Sequence, residues 1–302
     1  MIWFIIAFMS ILFLSFESLI DKLLVVNKEK SLDPLVASFF RNFAFFVIIA
    51  ISGVLGVFGK MNFFATWIIF VLGAFWILNS LAYDFLLKNI EISRSSSITY
   101  IFPLLLLPLD ILIFGEKFLP INVAGIFLLV LGSLTMSLSF SKGTLKNLFS
   151  WKVYLFLFIK FIILAFSLIL FREYNILYGL NEVSFYFSVW IFVILTYLPI
   201  MFFKGKMRKI VKTASENKFL LKTFVSKSFD VGGSILSLIA ITFTNMTKVE
   251  AVGSFFPLLV LIFAFIFQKL GFNLKENFSI KTTIQKIIGI TLIIFGSIIL
   301  IF

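Results

Sequence analysis

The sequence predicts an all-α membrane protein, with ten transmembrane helices arranged as two inverted five-helix repeats around a central cavity. Three observations carry that expectation. The 302-residue chain is 61% hydrophobic and 13% charged, with a mean hydropathy of +1.15, whereas a soluble domain carries about 25% charged residues. Apolar runs of about 20 residues, enough to cross the bilayer core as a helix, recur along its whole length. Two of these runs, SITYIFPLLLLPLDILIFGEKF (97–118) and SFFPLLVLIFAFIFQK (254–269), share a shape and an interior proline.

The runs place spans at 2–26, 34–58, 63–88, 92–114, 118–140, 152–176, 183–203, 218–243, 247–270 and 282–302. The first has no basic n-region and no small-residue cleavage site, so it reads as a retained helix rather than a signal peptide. Connections are short except for two Lys-rich loops, 141–151 and 204–217. The chain therefore divides into a first repeat at 1–140, a linker loop at 141–151 and a second repeat at 152–302.

Aligning the two runs on Pro103 and Pro257 sets Arg94 opposite Lys248. Downstream, AGIFLLVLGSL (124–134) matches IGITLIIFGSI (288–298), with Gly125 and Gly132 opposite Gly289 and Gly296, and Ser133 opposite Ser297. The proline-to-glycine distance is 22 residues in the first copy and 32 in the second, an insertion at GFNLKENFSI. Because each copy has an odd number of spans, the two must cross the membrane in opposite senses. Inverted repeats are a property of many secondary transporters, which hold substrate near the midplane where the repeats meet. A proline inside a membrane helix frees a carbonyl and kinks the axis, so Pro103 and Pro257 are candidates for a gate or cavity wall, or for packing kinks. The glycines, seven apart on one helix face, read as a close-packing surface.

Cysteine and histidine are absent. That removes thiolate chemistry and the usual zinc, haem and iron–sulfur ligands, and no metal or cofactor is expected. No nucleotide-binding P-loop occurs. The net charge of +12 includes the run KGKMRKIVK at 204–212. Between two apolar spans, such residues fix orientation and meet lipid headgroups rather than nucleic acid. The expected partners are membrane lipids and a small-molecule metabolite, with the protein a monomer or homodimer.

A charge near the bilayer centre costs about 2.5–3.5 kcal/mol on insertion scales and so faces protein or water. Helical spacing sorts the candidates. In span 3, Gly73, Trp76, Asn79, Ser80, Tyr83 and Asp84 share a polar–aromatic face that suits a small organic ligand, or interhelical hydrogen bonding. In span 8, Lys227, Asp230, Ser234 and Ser237 form a second stripe, in which Lys227 and Asp230 contact ligand or neutralise each other. Span 7 offers Tyr186 and Trp190, although aromatic residues near a membrane end also form belts. Tyr100 lies one turn before Pro103, and Asp110 falls on nearly the same face seven residues beyond it. In span 1, Glu17 is the deepest charge, while Asp21 and Lys22 are close enough to the end to snorkel, as are Arg41 in span 2 and Lys160 in span 6. The candidate substrate-binding set is thus Trp76, Asn79, Tyr83, Asp84, Tyr100, Trp190, Lys227, Asp230 and Ser234. Without histidine, proton coupling would fall to Glu17 or Asp230.

The segment KNIEISRSSSITYIFPLLLLPLDILIFGEKFLPINVAGIFLLVLGSL (88–134) resembles the signature of the drug/metabolite transporter superfamily, in particular its EamA-type ten-helix carriers. The shared features are a small-residue start to span 4, Pro103, the Gly115–Glu116 pair and a glycine-rich span 5, with Lys22 in ESLIDKLL and Arg41 in SFFRN matching the first spans. In the second half the Gly–Glu pair is replaced: Gln268 and Lys269 stand near its place and Glu276 lies farther out. The resemblance implies a pseudosymmetric bundle in the cell membrane that moves a metabolite by alternating access. The mixture of acids, bases and rings favours a polar or zwitterionic substrate such as an amino acid, moved outward. A carrier or flippase of a lipid-linked substrate is the second reading. An intramembrane transferase is the third, and it would call for clustered aspartates.

Orientation gives two answers. The loops after odd-numbered spans hold 17 Lys and Arg, and the opposite face holds Lys60, Lys117, Arg172 and Lys248. The positive-inside rule then places both termini outside the cell, whereas the family resemblance implies cytoplasmic termini.

Overall fold

The computed structural model describes residues 2–26, 34–54, 72–73, 75–81, 83, 102–137, 151–178, 182–214, 217–272 and 280–301. The helices are α1 (Ile2–Val26), α2 (Pro34–Ser52), α3 (Phe102–Phe114), α4 (Pro120–Ser137), α5 (Trp151–Tyr178) and α6 (Glu182–Phe203). They continue as α7 (Met207–Ala214), α8 (Asn217–Phe243), α9 (Met246–Val252), a 3-10 turn at Gly253–Phe255, α10 (Phe256–Lys269) and α11 (Ile280–Ile301). Residues 75–81 are also helical, and no strand occurs among the described residues.

Among the described residues, six stretches are long and apolar enough to cross a membrane: Ile2–Leu24, Leu35–Ser52, Glu182–Phe203, Phe219–Phe243, Met246–Lys269 and Thr283–Leu300. Phe102–Phe114 and Pro120–Thr135 are shorter apolar helices. The chain is a multi-pass, all-helical membrane protein. Its helices satisfy their backbone internally, which is what the absence of water in the hydrocarbon core demands.

Lipid tails are as apolar as leucine, so shape rather than hydrophobicity decides which helices touch. The closest pair is α4 with α11. A Cβ on Gly132 would lie 2.6 Å from the Gly289 carbonyl oxygen, and one on Gly296 would lie 2.7 Å from the Gly125 carbonyl oxygen. The two glycine faces read from the sequence therefore meet each other. The Gln285 side-chain amide adds a hydrogen bond to the Thr135 carbonyl across this seam. A second seam joins α1 to α8, where the Ser10 hydroxyl donates to the Gly233 carbonyl at 2.7 Å. Helix α8 also packs on α2, α2 on α6, α10 on α1, and α9 on α3. Between α2 and residues 75–81, the Asn42 amide donates to Ser80 Oγ at 3.2 Å.

The prolines take several positions: Pro108 lies inside α3, Pro199 inside α6, Pro120 opens α4, and Pro103 stands in the first described turn of α3. The apolar stretch at 246–269 is broken in the middle. Pro257 has no N–H to give the Gly253 carbonyl, and the Phe256 N–H takes that carbonyl in a tighter 3-10 turn instead. The Lys-rich loop expected at 204–217 contains a helix, α7, entered through Gly205 at φ +61°. Its MRKIVKTA sequence has neither proline nor glycine to oppose one.

Candidate functional site

A cavity of about 290 Å³ lies among α1, α2, residues 72–83, α5, α6, α8 and the α9–α10 break. Its wall carries charges of both signs: Glu17, Asp230 and Glu250, with Arg41, Lys160 and Lys227. The rest mixes serines, asparagines and aliphatic groups with aromatic rings that include Phe45, Trp76, Tyr83, Tyr186 and Trp190.

Lys227 is the hub of the charged side. Its ammonium contacts the Glu17 carboxylate directly, Asp230 Oδ2 at 2.8 Å and Asp21 Oδ2 at 3.3 Å. Arg41 approaches the same Asp21 oxygen at 3.7 Å, and Ser226 Oγ donates to Asp21 Oδ1 at 2.6 Å. Ser18 Oγ donates to Glu17 Oε2 at 3.1 Å and also lies 3.1 Å from the Tyr83 hydroxyl. Ser234 Oγ donates to Asp230 Oδ1 at 3.3 Å. Buried charges are tolerable only when paired and hydrogen-bonded in this way. The Arg41 guanidinium and the Lys160 ammonium lie 5.6 and 5.5 Å from the centre of the Tyr83 ring, within cation–π range.

The aromatic side is built on Trp190, whose ring stacks on Phe45 at 4.1 Å. Trp76 meets it at 5.0 Å and Tyr186 at 5.4 Å. Two polar atoms in this wall are buried without a hydrogen-bond partner: Trp190 Nε1 and Asn79 Oδ1. Tryptophan buried in a core normally finds an acceptor for its N–H, and an unmet buried donor or acceptor costs about 1–3 kcal/mol. Here a buried donor and a buried acceptor, on two residues that line one cavity, are both without a partner.

The structure brings together, on this one wall, Trp76, Asn79, Tyr83, Trp190, Lys227, Asp230, Ser234 and Glu17 from the sequence-derived set. Asp84 and Tyr100 lie outside the described residues. Pro257 adjoins the cavity through its neighbour Phe256, and Pro103 through Phe102. The snorkelling expected of Asp21, Lys22, Arg41 and Lys160 is not what the structure shows. Asp21 is fully buried, Lys22 and Arg41 are buried, and Arg41 and Lys160 face the cavity. Pairing to acids on neighbouring helices replaces headgroup contact, most plainly for Arg41 with Asp21. Glu250 is a wall residue that the sequence patterns do not single out. Its signal was modest: it stands two residues from Lys248, so one of the pair must face inward.

Asp110 belongs elsewhere. It has no exposure and accepts from the Thr247 N–H at 2.7 Å and the Thr247 hydroxyl at 2.6 Å, with Arg172 at 3.0 Å on its other oxygen. Arg172 also grips Glu116 and lies 4.3 Å from the Phe114 ring centre. Gly115, at φ +64°, turns the chain so that the Glu116 N–H returns to the Asp110 carbonyl at 3.1 Å. This αL position at a helix end is one that glycine fills without strain. The Gly115–Glu116 pair is thus part of a lock among α3, α5 and α9, away from the central cavity.

No family model matches the chain. No curated protein matches it. It is similar to a solved crystal structure of a protein at 15% identity, over 98% of this chain and 94% of that one, with a TM-score of 0.68. That likeness shows a fold shared along nearly the whole chain.

Proposed function

We propose that the chain is a secondary active transporter, an exporter of a small polar or zwitterionic metabolite such as an amino acid, working by alternating access. It would be an EamA-type carrier of the drug/metabolite transporter superfamily, in the cell membrane, with ten spans in two inverted repeats. The observation that carries this reading is a cavity wall with charges of both signs, lined also by Trp190 and Asn79, whose Nε1 donor and Oδ1 acceptor are buried without a partner. A zwitterion offers an acceptor, a donor and both charges at once. The cavity volume, about 290 Å³, equals roughly ten waters at about 30 Å³ each, which is the scale of a metabolite rather than a lipid. The broken helix at Gly253–Phe255 and Pro257 adjoins that cavity through Phe256, where a gate needs to bend. Coupling, if protonic, would use Glu17 or Asp230.

The test is a thermal-shift screen of the detergent-solubilised protein against amino acids, nucleosides, sugars, organic acids and cationic drugs. A ligand at about 100 times its Kd stabilises the folded state by about 2.7 kcal/mol. The compound found is then titrated against Trp190→Phe, which keeps the ring stack and removes the N–H. Loss of one hydrogen bond of about 0.5–1.5 kcal/mol corresponds to a Kd raised about 2- to 12-fold. Silence from every class with folded protein, or an unchanged Kd in the variant, overturns the reading.

A further inference from the structure

A second pocket, of about 490 Å³, lies at the end of the bundle where α3 and α8 finish and α9 begins. It is separate from the central cavity and independent of the transport reading. Its lining includes three cations, Lys117, Arg172 and Lys248, against one carboxylate, Glu116. Four basic residues are assigned by sequence to this face of the membrane. Lys60 lies outside the described residues, and the other three all line this pocket. The positive-inside rule does not explain their gathering, because this is the face poor in basic residues.

Arg172 is preorganised. Asp110 and Glu116 hold two of its nitrogens, and its guanidinium plane lies against Phe114. Five N–H donors in a fixed fork leave some for a further acceptor. Neither Lys117 nor Lys248 has a carboxylate partner among the described residues. Asn245 Oδ1 is occupied by the Lys248 N–H at 3.0 Å, which leaves the Asn245 amide nitrogen as a donor. The pocket therefore offers three cationic side chains and the Asn245 amide as donors, beside Glu116 and the carbonyl end of α8.

We propose that this pocket binds an anionic group, a carboxylate or a phosphate, between the Lys117 and Lys248 ammoniums and the Arg172 guanidinium. Two sources supply that chemistry: a free anion, or the phosphate of an anionic lipid headgroup. Charge-assisted hydrogen bonds to Arg and Lys suit either.

The experiment uses the full chain in phosphatidylcholine nanodiscs, titrated calorimetrically with inorganic phosphate and with acetate at low ionic strength. A parallel arm exchanges in phosphatidylglycerol and counts retained lipid by native mass spectrometry. Both arms are repeated on K117Q/K248Q, which leaves Arg172 and its partners intact and so preserves the fold. Saturable binding of phosphate or acetate that weakens about tenfold or more in the double variant, as loss of two charged donors predicts, identifies a free-anion site. No such binding, with phosphatidylglycerol retained over phosphatidylcholine by the native chain and not by the variant, identifies a headgroup site. If neither probe is preferred, or the preference survives in the double variant, the proposal is overturned.

Discussion

Asp110 sits without exposure in the apolar helix FPLLLLPLDILIF, and its replacement should unsettle the end of the bundle in a graded way. One oxygen takes both the Thr247 N–H (2.7 Å) and the Thr247 hydroxyl (2.6 Å), and the other takes Arg172 (3.0 Å). Thr247 stands in the first turn of α9, where an N–H has no intrahelical acceptor, and it is fully buried. In Asp110→Leu that N–H is orphaned, a cost of about 1–3 kcal/mol, and a charge-assisted bond to Arg172 of about 1.5–3 kcal/mol is lost. Arg172 keeps Glu116, so its own charge is not abandoned. The sum is about 2.5–6 kcal/mol, a span that includes the ~3–5 kcal/mol seen when a buried pair loses one partner. In Asp110→Asn the amide oxygen can stay on Thr247 while its NH₂ faces the guanidinium, so the loss is about 1.5–3 kcal/mol. Thr247→Val gives up only the hydroxyl bond, about 1 kcal/mol. Equilibrium unfolding in mixed micelles, followed by tryptophan fluorescence, would rank the three. Asp110→Leu within about 1 kcal/mol of the native chain would refute the assignment, as would equal losses in the leucine and asparagine variants.

Two further outcomes follow from the packing and the charged hub. Gly132→Ala places a Cβ 2.6 Å from the Gly289 carbonyl oxygen, which is backbone and cannot rotate away; the expected loss is about 1–3 kcal/mol in the same unfolding assay, and a neutral result would mean that α4 and α11 are not in contact. Lys227→Met removes the ammonium paired with the Glu17 carboxylate and should cost about 3–5 kcal/mol. Adding Glu17→Gln should recover part of it, a coupling of about 0.5–3 kcal/mol in a double-mutant cycle, whereas strictly additive losses would show that the two groups do not act as a pair.

The sequence carried the helices and much of the cavity wall because both are periodic. Trp76, Asn79 and Tyr83 share a helix face whatever surrounds them, and the same holds for Lys227, Asp230 and Ser234. The glycine faces were legible for a similar reason, since two matching small-residue stripes need a partner of the same kind. Helical spacing from Pro103 does not place Asp110. Its carboxylate is instead fixed by Thr247 and Arg172, more than 60 residues away in sequence, and no local pattern encodes that meeting.

Arg41 and Lys160 show where single-helix reasoning stops. A long cation some turns from a helix end has two ways to escape hydrocarbon: reach the headgroups, or meet an acid or a ring on a neighbour. The choice depends on which helices are adjacent, which periodicity within one helix does not contain. With α1 packed on α8 and α8 on α2, Asp21 comes within 3.7 Å of Arg41 and 3.3 Å of Lys227, and a buried alternative to snorkelling exists. Each such pair also removes a reason for its members to face lipid, so the charges converge on one interior surface. The same surface includes Trp190 and Asn79, whose Nε1 and Oδ1 are buried without a hydrogen-bond partner. Acids and bases neutralise one another there, whereas each of these two neutral groups carries an unmet cost of about 1–3 kcal/mol.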